Sequence, residues 1–231
     1  MPNKQTLGVI VPFYNEENFL EESILRLIEV KIINQIILVD DCSNDKSFDI
    51  ANDLSKRFNH IEVLKNSENT GKGGAVRHGL NSIKTEYVFI HDADLEYFPF
   101  DVKEMYQLIQ KEPNSLVLGS RTIGDKKRKN IYFWTYFGNK LFSSFFSFLN
   151  NYKISDIASC YWLIKSDTLR ALDLQENEFE IEVEVLSKFL KLNHKIHEVP
   201  ISYEARTYRN GKKIKFKDAV SIFLKILKYR K

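Results

Sequence analysis

The stretch Tyr87-Val-Phe-Ile-His-Asp-Ala-Asp-Leu-Glu-Tyr97 decides how the rest of the chain is interpreted. Its apolar run predicts a strand buried on both faces, and Asp92 and Asp94 follow where that strand ends. Ionised carboxylates near a core need a cation, and hard oxygen ligands suit Mg²⁺ or Mn²⁺, which often arrive with substrate phosphates. Glu96 adds a third oxygen ligand. The stretch therefore predicts a metal site at Asp92, Asp94 and Glu96, or alternatively an acidic turn that only ends a strand.

Further apolar runs alternate with helical patterns in the first half of the chain. The predicted strands are Leu7–Val11, Ile36–Val39, Ile61–Leu64 and Tyr87–Ile90, and the predicted helices are Glu17–Val30, Asp45–Phe58 and Gly74–Ile83. Such alternation predicts right-handed βαβ units, and hence an α/β fold with a doubly wound, mostly parallel sheet flanked by helices. In such sheets ligands bind beyond the carboxyl ends of the strands.

The second half of the chain is less regular. It contains predicted strands at Leu116–Leu118, Cys160–Ile164 and Ile196–Tyr203, and predicted helices at Ile131–Leu149, Glu178–Leu192 and Phe216–Tyr229. Repeats, low-complexity tracts and linkers that would divide the chain do not occur in it. We therefore expect one domain over residues 1–231, with amphipathic helices in its second half.

Composition excludes several classes of protein. The 231 residues are 43% hydrophobic and 28% charged, which is typical of a globular domain. A net charge of +3 gives no reason to expect nucleic-acid binding. Two cysteines, Cys42 and Cys160, cannot build a disulfide framework, which favours a reducing compartment. The N-terminus leads directly into a predicted strand, so we expect a cytoplasmic protein without a secretory signal.

The Phe-rich segment Ile131–Leu149 has nearly the length of a membrane span, but Thr135, Asn139, Ser143 and Ser147 form a polar stripe along it. It is preceded by the basic cluster Lys126–Lys129. That combination predicts an amphipathic helix lying at a membrane surface. The alternative is a helix packed on the protein's own core or on a second subunit in a homodimer.

Polar residues also follow the other predicted strands. Pro12 fixes the direction in which the first strand ends, and Tyr14 offers a flat face for a nucleobase. Asp41 follows the second strand and could accept hydrogen bonds from a base or a ribose. The segment Gly71-Lys72-Gly73-Gly74 could turn backbone N–H groups toward an anion, although its spacing is not that of a P-loop. Each of these features could equally be an ordinary turn.

Taken together, these segments resemble family 2 glycosyltransferases, and within them the dolichol-phosphate mannose synthase group and its polyprenyl-phosphate relatives. The resemblance is carried by Pro12-x-Tyr14-Asn15-Glu16, Asp40-Asp41-x-Ser43, Asn69-x-Gly71-Lys72-Gly73, Asp92-Ala93-Asp94-Leu95-Glu96 and Gly119-Ser120-Arg121, and continues to Glu198-Val199-Pro200-Ile201-x-Tyr203 and Arg206 with Gly211-Lys212-Lys213. It implies a GT-A type fold and an inverting, metal-dependent transfer of a hexose from a nucleoside-diphosphate sugar.

The resemblance also implies roles for individual residues. The nucleotide would contact Pro12, Tyr14, Glu16, Val39, Asp41, Lys72, Asp92 and Ala93. The metal, Mg²⁺ or Mn²⁺, would be held by Asp92, Asp94 and Glu96, and the catalytic groups would be Asp94, Arg121, Arg206 and Lys212. Residues 1–121 would form the nucleotide-sugar half of the domain and residues 122–231 the acceptor half. One departure stands out: a further arginine of the family has no match near Thr135, where Lys129 or Lys140 could replace it.

Two kinds of acceptor remain open at the level of sequence. A polyprenyl phosphate is already anionic, so it needs no strong general base, and it would place the enzyme at the inner face of a membrane. A sugar hydroxyl in polysaccharide synthesis needs a base, for which Asp156, Glu180, Glu182 and Glu184 are candidates, although the glutamates could simply form a solvated helix face. A non-catalytic protein that binds nucleotide sugars is a third alternative.

Overall fold

The computed structural model describes residues 6–129, 132–206 and 216–231. Its main sheet has seven strands in the order β3-β2-β1-β4-β7-β5-β8. The strands are β1 (Leu7–Phe13), β2 (Ile33–Asp40), β3 (Ile61–Lys65), β4 (Tyr87–Ile90), β5 (Leu116–Ser120), β7 (Trp162–Lys165) and β8 (Ile196–Pro200). A two-stranded sheet joins β6 (Arg128–Lys129) to β9 (Tyr203–Glu204).

The helices cover both faces of the main sheet. They are α1 (Leu20–Ile28), α2 (Ser47–Arg57), α3 (Gly71–Ser82), α4 (Val102–Lys111), α5 (Phe133–Asn150), α6 (Ser166–Ala171), α7 (Ile181–Lys191) and α8 (Phe216–Tyr229). One core cluster joins α1, α2 and α4 to one face of the sheet, and a second joins α3, α6 and α7 to the other. The predicted doubly wound α/β architecture is confirmed, because β1 pairs in parallel with both β2 and β4.

Two details of the sheet differ from the prediction. Strand β7 is antiparallel to its neighbours β4 and β5, which short apolar runs do not reveal. The predicted strand Ile196–Tyr203 is broken, because Ile201 donates its N–H to Ser120 while Tyr203 leaves the main sheet and pairs with Arg128. That break sends the chain after β8 back across the carboxyl ends of the strands.

Five of the six predicted helices begin two or three residues from the predicted position, and for α1 and α3 the hydrogen bonds show why. Helix α1 begins at Leu20 rather than Glu17, because the carbonyl of Glu16 accepts from the N–H groups of Phe19 and Leu20 in a preceding turn. Helix α3 begins at Gly71 rather than Gly74, since the Asp41 carboxylate accepts the Gly71 N–H at 2.8 Å and so caps the helix.

Helix α5 is oriented with its polar stripe toward the protein. Ser143 Oγ accepts the Ile157 N–H at 3.0 Å, and Ser147 Oγ accepts the Ile154 N–H at 2.9 Å. The side chain of Phe133 is 67% exposed and that of Phe148 is 81% exposed. No helix in the described ranges is long and apolar enough to cross a membrane.

Candidate active site

A cavity of about 850 Å³ opens at the carboxyl ends of β1, β2 and β4. The predicted site residues that line it are Pro12, Tyr14, Glu16, Asp41, Lys72, Asp92, Ala93, Asp94, Glu96, Arg121 and Arg206. Val39 does not line it, because its side chain is fully buried under α3. Lys212 lies outside the described residues. The fold therefore brings segments far apart in sequence to one concave surface.

Asp92 is held by a buried ion-pair cluster. The ammonium of Lys72 lies 2.9 Å from Asp92 Oδ1 and 2.8 Å from Glu182 Oε1. Burial opposes the charge of Asp92, but Lys72 outweighs that effect and lowers the pKa of the carboxyl. Burial raises the pKa of Glu182 in spite of the same lysine. The cation that pairs with Asp92 is therefore Lys72 on α3, which lies twenty residues earlier in the sequence. The residues directly around Asp92 include no lysine or arginine.

Asp94 lies in a more negative environment than Asp92. Burial, together with the neighbouring carboxylates of Glu96 and Asp92, raises the pKa of Asp94 to about 8 against the opposing effect of Arg206. Arg206 Nη2 is 3.4 Å from Asp94 Oδ2, but the guanidinium is closer to Glu16, at 2.9 Å. An excess of buried negative charge at Asp94 is what a divalent cation would neutralise.

The predicted metal ligands fit a cation only in part. The Glu96 carboxylate accepts hydrogen bonds from the Tyr203 hydroxyl and, at 2.7 Å, from the backbone N–H of Arg206. It therefore holds strand β9 and the residues that follow it against the site. Within residues 6–129, 132–206 and 216–231, no three acidic, His or Cys side chains form a ready-made metal cluster. Asp94, with Asp92 beside it and phosphate oxygens of a substrate, is the arrangement that suits Mg²⁺ or Mn²⁺.

Both oxygens of the Asp41 carboxylate accept hydrogen bonds from neighbouring groups of the protein. Oδ1 accepts hydrogen bonds from Asn66 Nδ2 at 2.7 Å and from the Thr70 N–H and hydroxyl, both at 2.9 Å. Oδ2 accepts the Gly71 N–H. Asp41 thus fixes the start of α3 at the edge of the cavity, and any contact with a base or ribose would be made by a carboxylate that this network already orients.

The glycines at the start of α3 serve close packing rather than anion binding. The N–H groups of Gly73 and Gly74 donate to the Asn177 carbonyl, at 2.6 and 3.2 Å. A Cβ at Gly71, which has φ +78°, would lie 2.5 Å from the Asn177 carbonyl oxygen, and one at Gly73 would collide with Glu176. The N–H groups of Gly73 and Gly74 therefore do not face an anion, and that of Gly71 faces the Asp41 carboxylate of the protein itself.

Arg121 is fixed by a fully buried partner. Its backbone N–H, Nε and Nη2 all donate to Asp156, at 2.7 to 2.9 Å, and Asn139 Nδ2 donates to the same carboxylate at 2.8 Å. Burial opposes the charge of Asp156, but Arg121 lowers its pKa. Asp156 is therefore a poor general base and instead orients Arg121, whose guanidinium stacks 5.0 Å from the ring of Tyr203.

The acidic residues of α7 do not form the solvated face that the sequence allows. Glu184 is fully buried and accepts the N–H groups of Gln175 and Glu176 as well as the Lys188 ammonium. Glu182 is paired with Lys72. Glu180 is half-buried and lines the cavity. Glu182 lines the cavity as well, but its ion pair with Lys72 leaves Glu180 as the cavity-lining candidate without an ion pair among the described residues.

The basic cluster Lys126–Lys129 is largely engaged within the protein. Lys126 pairs with Asp101 and Glu104, and Lys129 pairs with Glu204 at 3.3 Å. Arg128 donates to backbone carbonyls of residues 123 and 124. The cluster therefore offers less free charge to a membrane than the sequence suggests.

Sequence reasoning missed the residues that connect distant segments at the site. Tyr203, Asn177 and Asn139 each contact a predicted site residue or the loop beside it. Tyr203 belongs to a family motif and Asn139 to the polar stripe of α5, but neither pattern assigns the residue a role in the site, and Asn177 belongs to no motif. Their partners lie from 17 to 107 residues away in sequence, so no local pattern could have identified them.

Comparison with known proteins agrees with this geometry. A dolichol-phosphate mannosyltransferase of Pyrococcus furiosus is 28% identical over 91% of this chain, which spans 60% of that protein's length. A UDP-N-acetylglucosamine--dolichyl-phosphate N-acetylglucosaminyltransferase of Methanococcus voltae is 28% identical over 95% of this chain and 94% of its own length.

Solved structures show the same fold. The crystal structure of glucosyl-3-phosphoglycerate synthase from Mycobacterium tuberculosis, in complex with Mn²⁺, UDP and glucosyl-3-phosphoglycerate, superposes with a TM-score of 0.75 at 16% identity, covering 98% of this chain and 80% of that one. The expected GT-A fold is thereby confirmed. A sequence model of the family described as Glycosyl transferase family 2 matches residues 8–172. This match covers well over half of the chain, which therefore belongs to glycosyl transferase family 2 and is a glycosyltransferase.

Proposed function

We propose that this glycosyltransferase moves a hexose, with inversion and with help from Mg²⁺ or Mn²⁺, from a nucleoside diphosphate of the GDP-mannose or UDP-glucose type to a polyprenyl phosphate. The observation that carries the proposal is one cavity lined by both the Asp94–Arg206 charge cluster and the fixed Arg121. The relatives named above as dolichyl-phosphate transferases support the same acceptor class.

The reaction needs charge stabilisation more than proton transfer. The bond between the anomeric carbon and the diphosphate oxygen breaks, and an oxygen of the acceptor phosphate forms the new bond from the opposite face. A divalent ion at Asp94 would supply positive charge to the leaving diphosphate. Arg206, which pairs with Glu16 and Asp94, adds a second positive charge beside the same oxygens.

The acceptor phosphate fits best at Arg121. Its side chain lines the main cavity and also a small groove beside α5, which it shares with Thr122, Thr135, Tyr136, Asn139 and Tyr203. Arg121 provides the charge, and the Asn139 amide has a second N–H beside the one that it donates to Asp156, which could donate to a phosphate oxygen. Thr135 lines this groove in the region where the family has a further arginine, and Lys129, one of the two possible replacements, is paired with Glu204, so this chain would bind the phosphate with fewer charges.

The lipid chain would leave the groove along the outer faces of α5 and α8. Exposed apolar side chains on these helices are Phe133, Phe137, Leu141, Phe148, Val220, Phe223 and Leu224. The two helices contact each other through stacked rings of Phe145 and Phe223, 5.1 Å apart. We propose that this surface, called here the α5–α8 face, lies on the inner surface of the membrane. Residues 1–121 would then supply most of the donor site and residues 122–231 most of the acceptor surface, with Arg121 contacting the acceptor and Arg206 the donor diphosphate.

A transfer assay tests the proposal. The full chain is incubated with Mn²⁺ and with radiolabelled GDP-mannose or UDP-glucose, together with either a polyprenyl phosphate or a soluble oligosaccharide. We expect labelled lipid and no labelled oligosaccharide. Label in the oligosaccharide would instead favour a hydroxyl acceptor with Glu180 as the base. Donor binding without transfer or hydrolysis would identify a non-catalytic protein.

A further inference from the structure

A chain of three hydroxyl groups leads inward from the groove beside α5. Thr122 lines this groove, and its Oγ1 lies 3.2 Å from Ser120 Oγ at the end of β5. Ser120 Oγ is 2.7 Å from Ser155 Oγ, which donates to Glu198 Oε1 at 2.6 Å. The three hydroxyls therefore connect the proposed acceptor groove to a carboxylate on β8.

The directions of these hydrogen bonds suit the passage of a proton away from the groove. Because Ser155 gives its hydroxyl proton to Glu198, the proton between Ser155 and Ser120 comes from Ser120. The Thr122 hydroxyl can donate either to the Ser155 carbonyl, at 3.0 Å, or to Ser120 Oγ. Thr122 Oγ1 keeps a lone pair for a proton donor in the groove. Each hydroxyl thus accepts on the side of the groove and donates toward Glu198.

Glu198 is suited to take up a proton at the inner end of this chain. Burial raises the pKa of Glu198 above its ordinary value; hydrogen bonds from Ser155 oppose this effect, and the neighbouring Asp156 carboxylate raises the pKa further. Asp156 itself is paired with Arg121, and β5 places the apolar Leu118 beside Glu198. Glu198 is also partly exposed, so that a proton received there can pass to water.

The charge of the groove favours an acceptor phosphate that still carries one proton. Arg121 is the one cationic side chain among the described residues that line it, and Asp156 already matches that charge. A phosphate monoester loses its second proton with a pKa of about 6, and an anionic membrane surface raises the apparent value by about half a unit. Part of a lipid phosphate is therefore singly charged near neutral pH. The glycosyl phosphodiester product is singly charged as well.

We infer that the three hydroxyls form a proton relay, which carries the remaining acidic proton of the acceptor phosphate to Glu198. This inference rests on the proposed function, because it concerns the lipid phosphate that the same reaction uses. The relay lets the enzyme accept the singly protonated phosphate as well as the dianion, although no side chain of the groove is itself a base.

The step balances in protons and electrons. The bond from the anomeric carbon to the diphosphate oxygen breaks, and its electron pair stays on the diphosphate. An unprotonated oxygen of the acceptor phosphate forms the new bond with a lone pair. The P–OH proton passes to Thr122, one proton moves along each following hydroxyl, and the last reaches Glu198, which releases it to water.

Transfer rates at two pH values test the relay. The full chain is assayed with Mn²⁺, labelled nucleotide sugar and polyprenyl phosphate in phosphatidylglycerol vesicles, at pH 6 and pH 8. The ratio of kcat/KM at pH 8 to that at pH 6 is compared with the wild-type ratio, so that other titrations cancel. Two variants interrupt the relay, Ser120→Ala and Glu198→Gln, so that the test stands if one of them does not fold.

The variants should lose activity mainly at the lower pH. At pH 8 the phosphate is already a dianion, so each variant should keep kcat/KM within about threefold of the wild type. At pH 6 each should fall about fourfold further, because only the dianionic fraction of the acceptor can react. The control is Ser55→Ala, which removes a hydroxyl that donates to a backbone carbonyl on α2. It should leave the ratio unchanged.

A more acidic acceptor separates proton transfer from a structural role. A polyprenyl difluoromethylenephosphonate is dianionic at pH 6, because its fluorines withdraw electrons. With this acceptor, Ser120→Ala should show the wild-type ratio of kcat/KM between the two pH values. A structural defect would not be corrected by a change of acceptor.

The outcomes are distinct. Folded variants with the wild-type ratio, or a loss at pH 6 that the fluorinated acceptor does not restore, overturn the relay and leave transfer to polyprenyl phosphate intact. A wild-type chain that transfers no sugar to polyprenyl phosphate at either pH overturns the proposed function together with the relay.

Discussion

In the first half of the molecule, α1 buries Leu20, Ile24 and Leu27 against the sheet, whereas in the second half α5 turns Ser143 and Ser147 inward and exposes Phe133 and Phe148. Both helices are amphipathic in sequence. Helix α1 buries its apolar face in the core, whereas helix α5 leaves an apolar surface exposed beside the cavity. Large exposed apolar patches mark surfaces that contact something else. Amphipathic periodicity therefore predicts a helix, but it does not predict which face of the helix is buried.

The two halves also treat charge differently. Near β4, carboxylates outnumber the cations that reach them, so Asp94 has a raised pKa. In the second half, Asp156 is matched by Arg121 and Asn139 and has a lowered pKa. Asp94, where we propose that a divalent cation binds, thus lacks matching positive charge, whereas the Asp156 carboxylate that orients Arg121 is fully paired.

The largest expected effect on turnover comes from removing the negative charge of Asp94, which lies beside two further carboxylates. Asp94→Asn should lower turnover about 100- to 1,000-fold, because it removes the anion that would hold a divalent ion at the leaving diphosphate. Stability should be unchanged or slightly higher, since repulsion with Glu96 is relieved. Turnover of the donor and thermal unfolding of the same preparation measure the two effects.

The matched control for that prediction is Asp53→Asn, an exposed carboxylate on α2 that pairs only with Lys56 among the described residues. It should leave turnover unchanged. Full activity in EDTA, or an Asp94→Asn enzyme as active as the wild type, would contradict the assignment of Asp94.

The α5–α8 face should give the next largest effect. Replacing both Phe137 and Phe148 by Ser should weaken co-sedimentation with vesicles of phosphatidylglycerol and phosphatidylcholine about tenfold or more. Full burial of one Phe ring contributes about 1.5–3 kcal/mol, and a loss of about 1.4 kcal/mol is already tenfold in affinity. The control is Phe100→Ser, which removes a ring that is 47% exposed on the other half of the molecule. Stability should change little in either variant.

One outcome would reverse this interpretation. If the wild-type chain fails to bind anionic vesicles and forms a dimer in which Phe137 and Phe148 are protected, the α5–α8 face is a subunit interface. Hydrogen exchange of α5 in the dimer and in diluted monomer would show that protection.

The smallest expected effect concerns the attachment of α8 to the first half. Glu176 accepts hydrogen bonds from Tyr229 and Lys228 and pairs with Lys225 at 2.6 Å, while its carbonyl accepts from Arg77 on α3. Burial opposes the charge of Glu176, but these partners lower its pKa to about 2 from 4.5. A carboxyl whose folded pKa is depressed stabilises the protein above pH 4.5, and this stabilisation is lost as the pH falls toward 2.

Urea unfolding at pH 7, 4.5 and 3 measures the contribution of Glu176. The wild type should lose more stability than Glu176→Gln between pH 4.5 and pH 3. The difference should be on the order of 1 kcal/mol, because the side chain of Lys228 is 55% exposed and solvent screens the pair. Parallel curves for the two proteins would show that Glu176 does not hold α8 through its charge.

The class of fold and the location of the site follow from the sequence, although the antiparallel direction of β7 does not. Short apolar runs such as Leu7–Val11 and Tyr87–Ile90 are typical of strands buried on both faces, and the helices between them predict parallel pairing, so that the carboxyl ends share one edge. Asp92 and Asp94 directly follow a strand. Their position in the cavity was therefore predictable from the local pattern, as was the membership of the family from five motifs in order.

Which charged side chains pair, and which face of each amphipathic helix is buried, depends on the tertiary structure. Lys72 reaches Glu182 across 110 residues of sequence, Arg206 reaches Glu16 across 190, and Asn177 meets the glycines of α3, none of which a local pattern can encode. The α5 serines face inward, where Ser147 and Ser143 accept the backbone N–H groups of Ile154 and Ile157, which lie outside any helix or strand. Periodicity fixes that a helix has two faces, but the partners that the fold supplies determine which face is buried.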